Sequence, residues 1–456
     1  MMRETQGSSP RTPDRPGRNR LDEHAPVSVA EATRLWAKVG LLSFGGAAGQ
    51  IAMLHRFVVE ERRWLDERAF LNALNYCTLL PGPEAQQLAT YIGWRLHGVR
   101  GGLIAGGLFV VPGALVMLAL SLLYTLGQGM SAIEGLFLGI KAAVLAIVLE
   151  ALHRIGRRAL RSRHLVLLSI ATFVAIVVLD LPFPLIIGAA GAVGAATTFL
   201  RPRVEMPADL HGPVSGHGSA LVAAGLCAAA WWLPVLLAVL LLGSGHVLVD
   251  LGLFFSKLAV VTFGGAYAVL AYLTDAAVGT KHWASAGEMV DGLGLAETTP
   301  GPTILVNQFV GFLAAYRMPQ PFTPIVAGTI GALMTTWVTF LPSFVWIFAG
   351  APYLERIVGN PRLAGALAAI TAAVVGVVAS LAVTFGLQVL FAEVGHLHWS
   401  FAALPWPRLS SLRPEMLALS LLAAFLLFRL HFGVVQTVGV MAAAGLGVRF
   451  ALGVGS

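Results

Sequence analysis

Polar and apolar positions do not alternate along this chain; from residue 30 onward they form long apolar runs separated by short polar or Pro/Gly-rich stretches. Such runs predict helices embedded in lipid, not the every-second-residue pattern of a transmembrane barrel. The hydropathy places helices at 30–55, 67–80, 84–98, 100–126, 130–153, 164–180 and 183–200, and a further span at 219–243. It then places helices at 247–273, 284–298, 303–316, 323–350, 361–391, 414–430 and 432–450. Several fall short of the roughly 20 residues needed to cross a hydrocarbon core of about 30 Å. The short ones flank Pro-Gly-Pro in both parts of the chain. The expected fold is an all-α polytopic membrane protein.

The chain repeats itself. Phe44-Gly45-Gly46 returns as Phe263-Gly264-Gly265, Trp64 as Trp283, and Pro81-Gly82-Pro83 as Pro300-Gly301-Pro302, all at one offset (263 − 44 = 283 − 64 = 300 − 81 = 219). Lys38 and Lys257 keep the same register, so each half reads Lys-x5-Phe-Gly-Gly. Downstream, Pro112 aligns with Pro342 and Ile140-Lys141-Ala142-Ala143-Val144 with Ile370-Thr371-Ala372-Ala373-Val374 (342 − 112 = 370 − 140 = 230). Rare tripeptides held in register mark a duplication. The expected organisation is a basic cytoplasmic tail at 1–28, a first repeat at 29–203, a linker with one extra helix at 204–246, and a second repeat at 247–456. Arg154, Arg157, Arg158, Arg161 and Arg163 follow the 130–153 helix without an intervening acid, which predicts a cytoplasmic loop. The corresponding stretch 391–415 balances Arg408 and Arg413 with Glu393 and Glu415. With a lone extra span between them, the halves are expected to be inverted, each with a helical hairpin broken at Pro-Gly-Pro.

Composition sharpens the class. Of 456 residues, 57% are hydrophobic and 12% charged, against roughly 25% charged in a soluble domain. Residues 1–28 carry Arg3, Arg11, Arg15, Arg18 and Arg20 without the apolar segment of a signal peptide. That tail explains part of the net charge of +7, so the basic balance does not point to nucleic acid. Cys77 and Cys227 offer neither a disulfide framework nor metal-ligand spacing, and no cofactor motif is present. His396 and His398 lie in a predicted loop, where facing water is commoner than binding metal.

The candidate chemistry lies at the breaks. Pro-Gly-Pro ends one helix, permits a sharp turn and favours the start of another near Pro83 or Pro302. Either the turn lies at the membrane surface, or the freed amides and the positive helix end line a cavity suited to an anion. Phe-Gly-Gly either packs closely against a neighbouring helix or unwinds to present backbone groups. Lys38, Lys141 and Lys257 fall inside predicted membrane helices, where ionisable residues are rare. Snorkelling or pairing with an unidentified carboxylate are their structural alternatives. Glu84 and Glu297 flank the two breakers at non-equivalent positions and are candidates for proton coupling. Gln86, Gln87, Asn307 and Gln308 are candidate donors to oxyanion oxygens. Arg95 and Arg100 fit exposed interfacial charge, and His55–Arg68 reads as an interfacial helix with Trp64, like Trp283, at headgroup level.

Phe44-Gly45-Gly46, the Trp64 segment, Leu80-Pro81-Gly82-Pro83 and Gly93 resemble the chromate ion transporter family. Thr262-Phe263-Gly264-Gly265, Thr299-Pro300-Gly301-Pro302 and Gly311 repeat the pattern. The resemblance covers nearly everything from residue 30 and is to the long form with two modules. It implies chromate export across a bacterial inner membrane, chromate resistance, sulfate as a competing analogue, and energy from membrane potential or ion exchange. The substrate-binding residues expected on this combined reading are Lys38, Phe44, Gly45, Gly46, Pro81, Gly82, Pro83, Lys141, Lys257, Phe263, Gly264, Gly265, Pro300, Gly301, Pro302 and Asn307. The expected partners are the oxyanion and the lipid bilayer, without nucleic acid; a homodimer is compatible with the pattern. A membrane-embedded enzyme would need a reactive His/Asp/Glu cluster, which the sequence lacks, and a passive channel a continuous polar pore in place of a central, doubly broken site; the alternative function is a carrier or channel for sulfate or another inorganic anion.

Overall fold

The computed structural model describes residues 27–197, 217–261, 263, 265–350, 361–399 and 402–452. The basic tail expected at 1–28 and the polar linker therefore lie mostly outside the described residues. The first half comprises α1 (Val29–Leu42), α2 (Gly46–His55), α3 (Glu67–Leu79), α4 (Glu84–Leu126), α5 (Ser131–Ala159), α6 (Arg163–Val177) and α7 (Phe183–Thr197). The extra helix is α8 (His217–Leu242). The second half follows as α9 (Val247–Val261), α10 (Ala266–Thr274), α11 (Ala286–Thr298), α12 (Val306–Arg317), α13 (Pro324–Gly350) and α14 (Pro361–Leu390). After a hairpin of β1 (Val394–Trp399) and β2 (Ala402–Pro407) come α15 (Pro414–Ala424) and α16 (Val434–Leu452). Among the described residues, six helices are long and apolar enough to cross a membrane.

Several boundaries differ from the sequence expectation. The helices expected at 30–55 and 247–273 are each broken at Phe-Gly-Gly, because Gly45 (φ 89°) and Gly265 (φ 99°) adopt conformations that a side chain would resist. The helices expected at 84–98 and 100–126 are present as the two arms of α4, which meet at non-helical His97 and Gly98, the latter at φ 60°. The helix expected at 130–153 continues to Ala159, so Arg154, Arg157 and Arg158 belong to α5 and not to the following loop. The stretch 391–415 contains the β-hairpin, in which Pro405 and Pro407 had concealed strand character; His396 and His398 therefore belong to β1. Trp64 and Trp283 are not at an exposed headgroup level. Both are buried, Trp64 edge-on to Trp36 (6.4 Å between centroids) and Trp283 stacked on Phe255 (6.0 Å).

The duplication extends to backbone detail. A π-helical turn at Arg56–Glu61 matches one at Asp275–Thr280. Each is followed by a left-handed residue, Arg63 (φ 53°) and His282 (φ 52°), and closed by a tryptophan amide donating back across the turn, Trp64 to Val58 and Trp283 to Ala277, both 2.8 Å. Asp180 (φ 50°) and His431 (φ 55°) are a further equivalent pair, at an offset (431 − 180 = 251) widened from 230 by the hairpin that only the second half carries.

Glycine contacts give the relation between the halves. Gly102 and Gly106 of α4 lie against Phe348 and Phe344 of α13, so later residues of one helix meet earlier residues of its equivalent. In the same sense Leu145 of α5 approaches Gly386 of α14, and Gly156 of α5 approaches Val375. Equivalent long helices thus run antiparallel, and the halves are inverted. They also exchange partners: α5 packs on α15 and α16 of the second half, while α14 packs on α6 and α7 of the first. The close approaches Gly139–Met441 and Gly194–Gly365 use small residues in the manner of lipid-embedded helix pairs.

Candidate functional site

Each half builds its Pro-Gly-Pro turn from short helices. In the first half α3 ends at Leu79, the turn passes through Gly82 (φ 120°), and α4 begins at Glu84. Its initial arm, residues 84–96, folds back on the long arm, 99–126, where Gly93 meets Gly101 backbone to backbone. The second half repeats this with α11, Gly301 (φ 99°), α12 and α13, its close approach lying between Gly311 and Gly331. One detail departs from expectation. A 3-10 turn at Thr303–Leu305 precedes α12, so that helix starts at Val306 and not near Pro302. A 13-residue helix such as α3 spans only about 20 Å at 1.5 Å per residue, too little to cross the membrane.

Each turn is seated against the other half. An added Cβ at Gly82 would lie 3.0 Å from the Ser343 hydroxyl on α13, and one at Gly113 on α4 would collide with the Pro300 carbonyl. Gly113 and Ser343 are equivalent positions, each directly after the helix prolines Pro112 and Pro342. The unwound Ser43–Gly45 segment completes the second turn. The Gly301 amide donates to the Ser43 carbonyl (2.8 Å), and the buried Gln50 side chain donates both to that carbonyl (3.1 Å) and to the Gly301 carbonyl (2.6 Å). Ser43 and Gln50 are residues of the second turn's support that sequence reasoning missed. A glutamine in an apolar stretch four residues beyond Phe-Gly-Gly was the available signal.

Around these turns lies a buried polar shell. Gln87 donates to the Pro81 carbonyl (2.7 Å), Gln308 to the Ala114 carbonyl (2.8 Å), and Asn307 reaches the Thr339 hydroxyl (3.4 Å). Both amide atoms of Gln86, the Oε1 atoms of Gln87 and Gln308, Asn307 Oδ1 and Ser343 Oγ are buried without a partner among the described residues. Buried unpaired polar groups cost about 1–3 kcal/mol each, and more in hydrocarbon. A solute offering both acceptor oxygens and bound water would satisfy them. The start of α4 has no side-chain cap, leaving its first-turn amides and positive dipole end available.

The predicted charged residues divide differently. Lys38 and Lys257 are exposed on the outside of the bundle, each ammonium over an aromatic ring, Phe57 at 4.7 Å and Tyr272 at 5.8 Å. Lys141 has the carboxylate that the sequence left unidentified: its Nζ lies 3.3 Å from Asp291 of α11, which is buried and also accepts from the Tyr124 hydroxyl (2.9 Å). Glu297 is buried one turn before Pro300 and accepts from Tyr267 (2.9 Å), whereas Glu84 opens α4 half-buried. Phe44 is exposed beside Gly45 and Gly46, and Phe263 is half-buried next to Gly265. Gly264 lies outside the described residues. The structure thus seats Gly82 beside Gln87 and Ser343, and Gly301 beside Ser43 and Gln50, and it places the three lysines elsewhere.

The family described as Chromate transporter matches residues 30–195 and again 249–448, so each match falls on one of the two inverted halves. The chain belongs to the chromate transporter family. A chromate transport protein of Pseudomonas aeruginosa is 34% identical over 373 residues, 81% of this chain and 83% of that one. A chromate transport protein of Cupriavidus metallidurans is 26% identical over 81% of this chain and 86% of its own. An uncharacterized transporter of Bacillus subtilis, YwrB, is 27% identical over 132 residues, 29% of this chain but 66% of the relative. No solved structure matches. Membership of a transporter family together with six membrane-length apolar helices makes this a multi-pass membrane protein.

Proposed function

We propose that the chain is a secondary carrier that exports chromate across a bacterial inner membrane and so confers chromate resistance, with sulfate competing for the same site. The supporting observation is the pair of Pro-Gly-Pro turns from inverted halves, each seated on the other half beside unpaired buried amides and a hydroxyl. Chromate and sulfate are both tetrahedral dianions, and neutral donors with helix dipoles bind such ions without a buried lysine. The named relatives supply the chromate assignment. On this reading Gly82, Gly301, the Gln86 amide nitrogen and the Ser343 hydroxyl contact the anion, the unpaired side-chain oxygens of Gln87 and Asn307 accept from its bound water, and Gln50 positions the second turn. Glu297, beside that turn, carries the coupling proton; Glu84 is the alternative carrier in the first half.

Because the halves are inverted, rocking one against the other would expose the interface alternately to each side of the membrane. Energised everted vesicles should accumulate labelled chromate, with excess sulfate reducing the uptake. Accumulation confined to right-side-out vesicles would replace export with import, and accumulation in neither would remove chromate as substrate.

A further inference from the structure

Away from the turns, a cavity of about 300 Å³ opens at the end of α5 opposite its arginine-rich end. Its polar lining is Glu134 and Lys141 of α5, Gln388 of α14 and Arg413 just before α15. The Arg413 amide donates to the Leu390 carbonyl (2.8 Å), which fixes the residue at the base of the inserted hairpin. Its guanidinium pairs with no carboxylate among the described residues, whereas Glu134 is already engaged by Arg449. Lys141 is one-third exposed to the cavity and shares Asp291 Oδ2 with Tyr124. The lining thus carries two cations and one carboxylate, and the cavity is net positive.

No residue of this cavity belongs to the Pro-Gly-Pro turns, yet α11 links the two places. Asp291 precedes Pro300 by nine residues, roughly 14 Å at 1.5 Å per helical residue. At ~30 Å³ per water, the space holds an inorganic oxyanion with part of its hydration shell.

We infer that this cavity is a second, weaker oxyanion site, in which Arg413 and Lys141 hold a tetrahedral dianion at one mouth of the carrier. Lys141, one-third exposed, turns its remaining donors to the anion while keeping its contact with Asp291, which Tyr124 also holds. Such a site raises the local anion concentration at the mouth and is screened by salt. The inference rests on the oxyanion reading above for the class of ligand.

The test is equilibrium binding of radiolabelled sulfate to purified protein in phosphatidylcholine nanodiscs. Wild type should show two sites. Arg413→Gln, a change at an exposed position, should weaken the second at least tenfold and leave the first unchanged. The paired change Lys141→Met with Asp291→Asn keeps the interior neutral and should have the same effect. Gly301→Val should do the reverse. A single site lost in Gly301→Val and untouched by Arg413→Gln would overturn the second site and leave the turn site standing. No sulfate or chromate bound at all would overturn both. Repeating the measurement with phosphatidylglycerol in the nanodiscs should leave the second site intact; its disappearance would assign the cavity to lipid phosphate instead.

Discussion

Replacing Gly82 with valine puts a branched side chain where the backbone has φ 120°. The new Cβ would lie 2.8 Å from Gln87 Nε2 and 3.0 Å from Ser343 Oγ. The unfavourable backbone region costs about 1–3 kcal/mol. Displacing the Gln87 amide from the Pro81 carbonyl adds about 0.5–1.5 kcal/mol. A penalty of about 2–4 kcal/mol, relieved only by a turn of different shape, should weaken anion binding roughly 30- to 700-fold at 1.4 kcal/mol per decade. At Gly301 the nearest atom is a Leu305 methyl at 3.2 Å, with φ 99°. Backbone strain then dominates, and Gly301→Val should lose less, roughly 5- to 100-fold for about 1–3 kcal/mol. Gly107→Ala is the control, since nothing lies within 4 Å of its added Cβ. Chromate and sulfate binding to the purified variants, compared at equal membrane abundance, is the assay. Wild-type affinity in both valine variants would make the turns hinges and remove them from the site.

Gln50→Leu removes the one nitrogen that donates to the Ser43 carbonyl and, across the interface between the halves, to the Gly301 carbonyl; with the latter orphaned at about 1–3 kcal/mol, transport should fall about tenfold, and normal transport would exclude Gln50 as a positioning residue. Lys141→Ala leaves Asp291 buried without its cation. It should destabilise the protein by about 3–5 kcal/mol, read as a lowered melting temperature in detergent, and adding Asp291→Asn should restore most of the loss. Glu297→Gln should abolish the response of chromate flux to a pH gradient while leaving exchange of bound anion intact; a response equal to wild type would remove Glu297 as the proton carrier. Reporter fusions after residues 160 and 400 should fall on opposite sides of the membrane, with the former cytoplasmic, and a shared side would contradict the inverted arrangement.

The duplication and its breakers were legible because Phe-Gly-Gly and Pro-Gly-Pro are rare and impose backbone geometry by themselves. Inversion was half legible, from the arginines near residue 160; the antiparallel contacts of Gly102 and Gly156 carry it in three dimensions. What a single sequence does not show is which breaker meets which surface. Ser43 and Gln50 reach Gly301 across some 250 residues of chain, and nothing local in either segment encodes that meeting. The same holds for Lys141. Its position inside an apolar helix was visible, but its partner Asp291 is held by a helix from the other half. Lys38 and Lys257 were given weight by their recurrence. Their exposed aromatic contacts show that a duplication repeats peripheral residues as faithfully as central ones.

Substrate-induced counterflow in proteoliposomes tests the central claim most directly, because a site exposed alternately to each side must exchange anions across a sealed membrane. Vesicles preloaded with unlabelled sulfate and diluted into tracer chromate should show a transient accumulation of label above the external concentration. Gly82→Val and Gly301→Val should lose that overshoot in proportion to their loss of binding. Label that only equilibrates, with no overshoot and no dependence on the internal anion, would mean a channel and contradict a carrier built on paired turns.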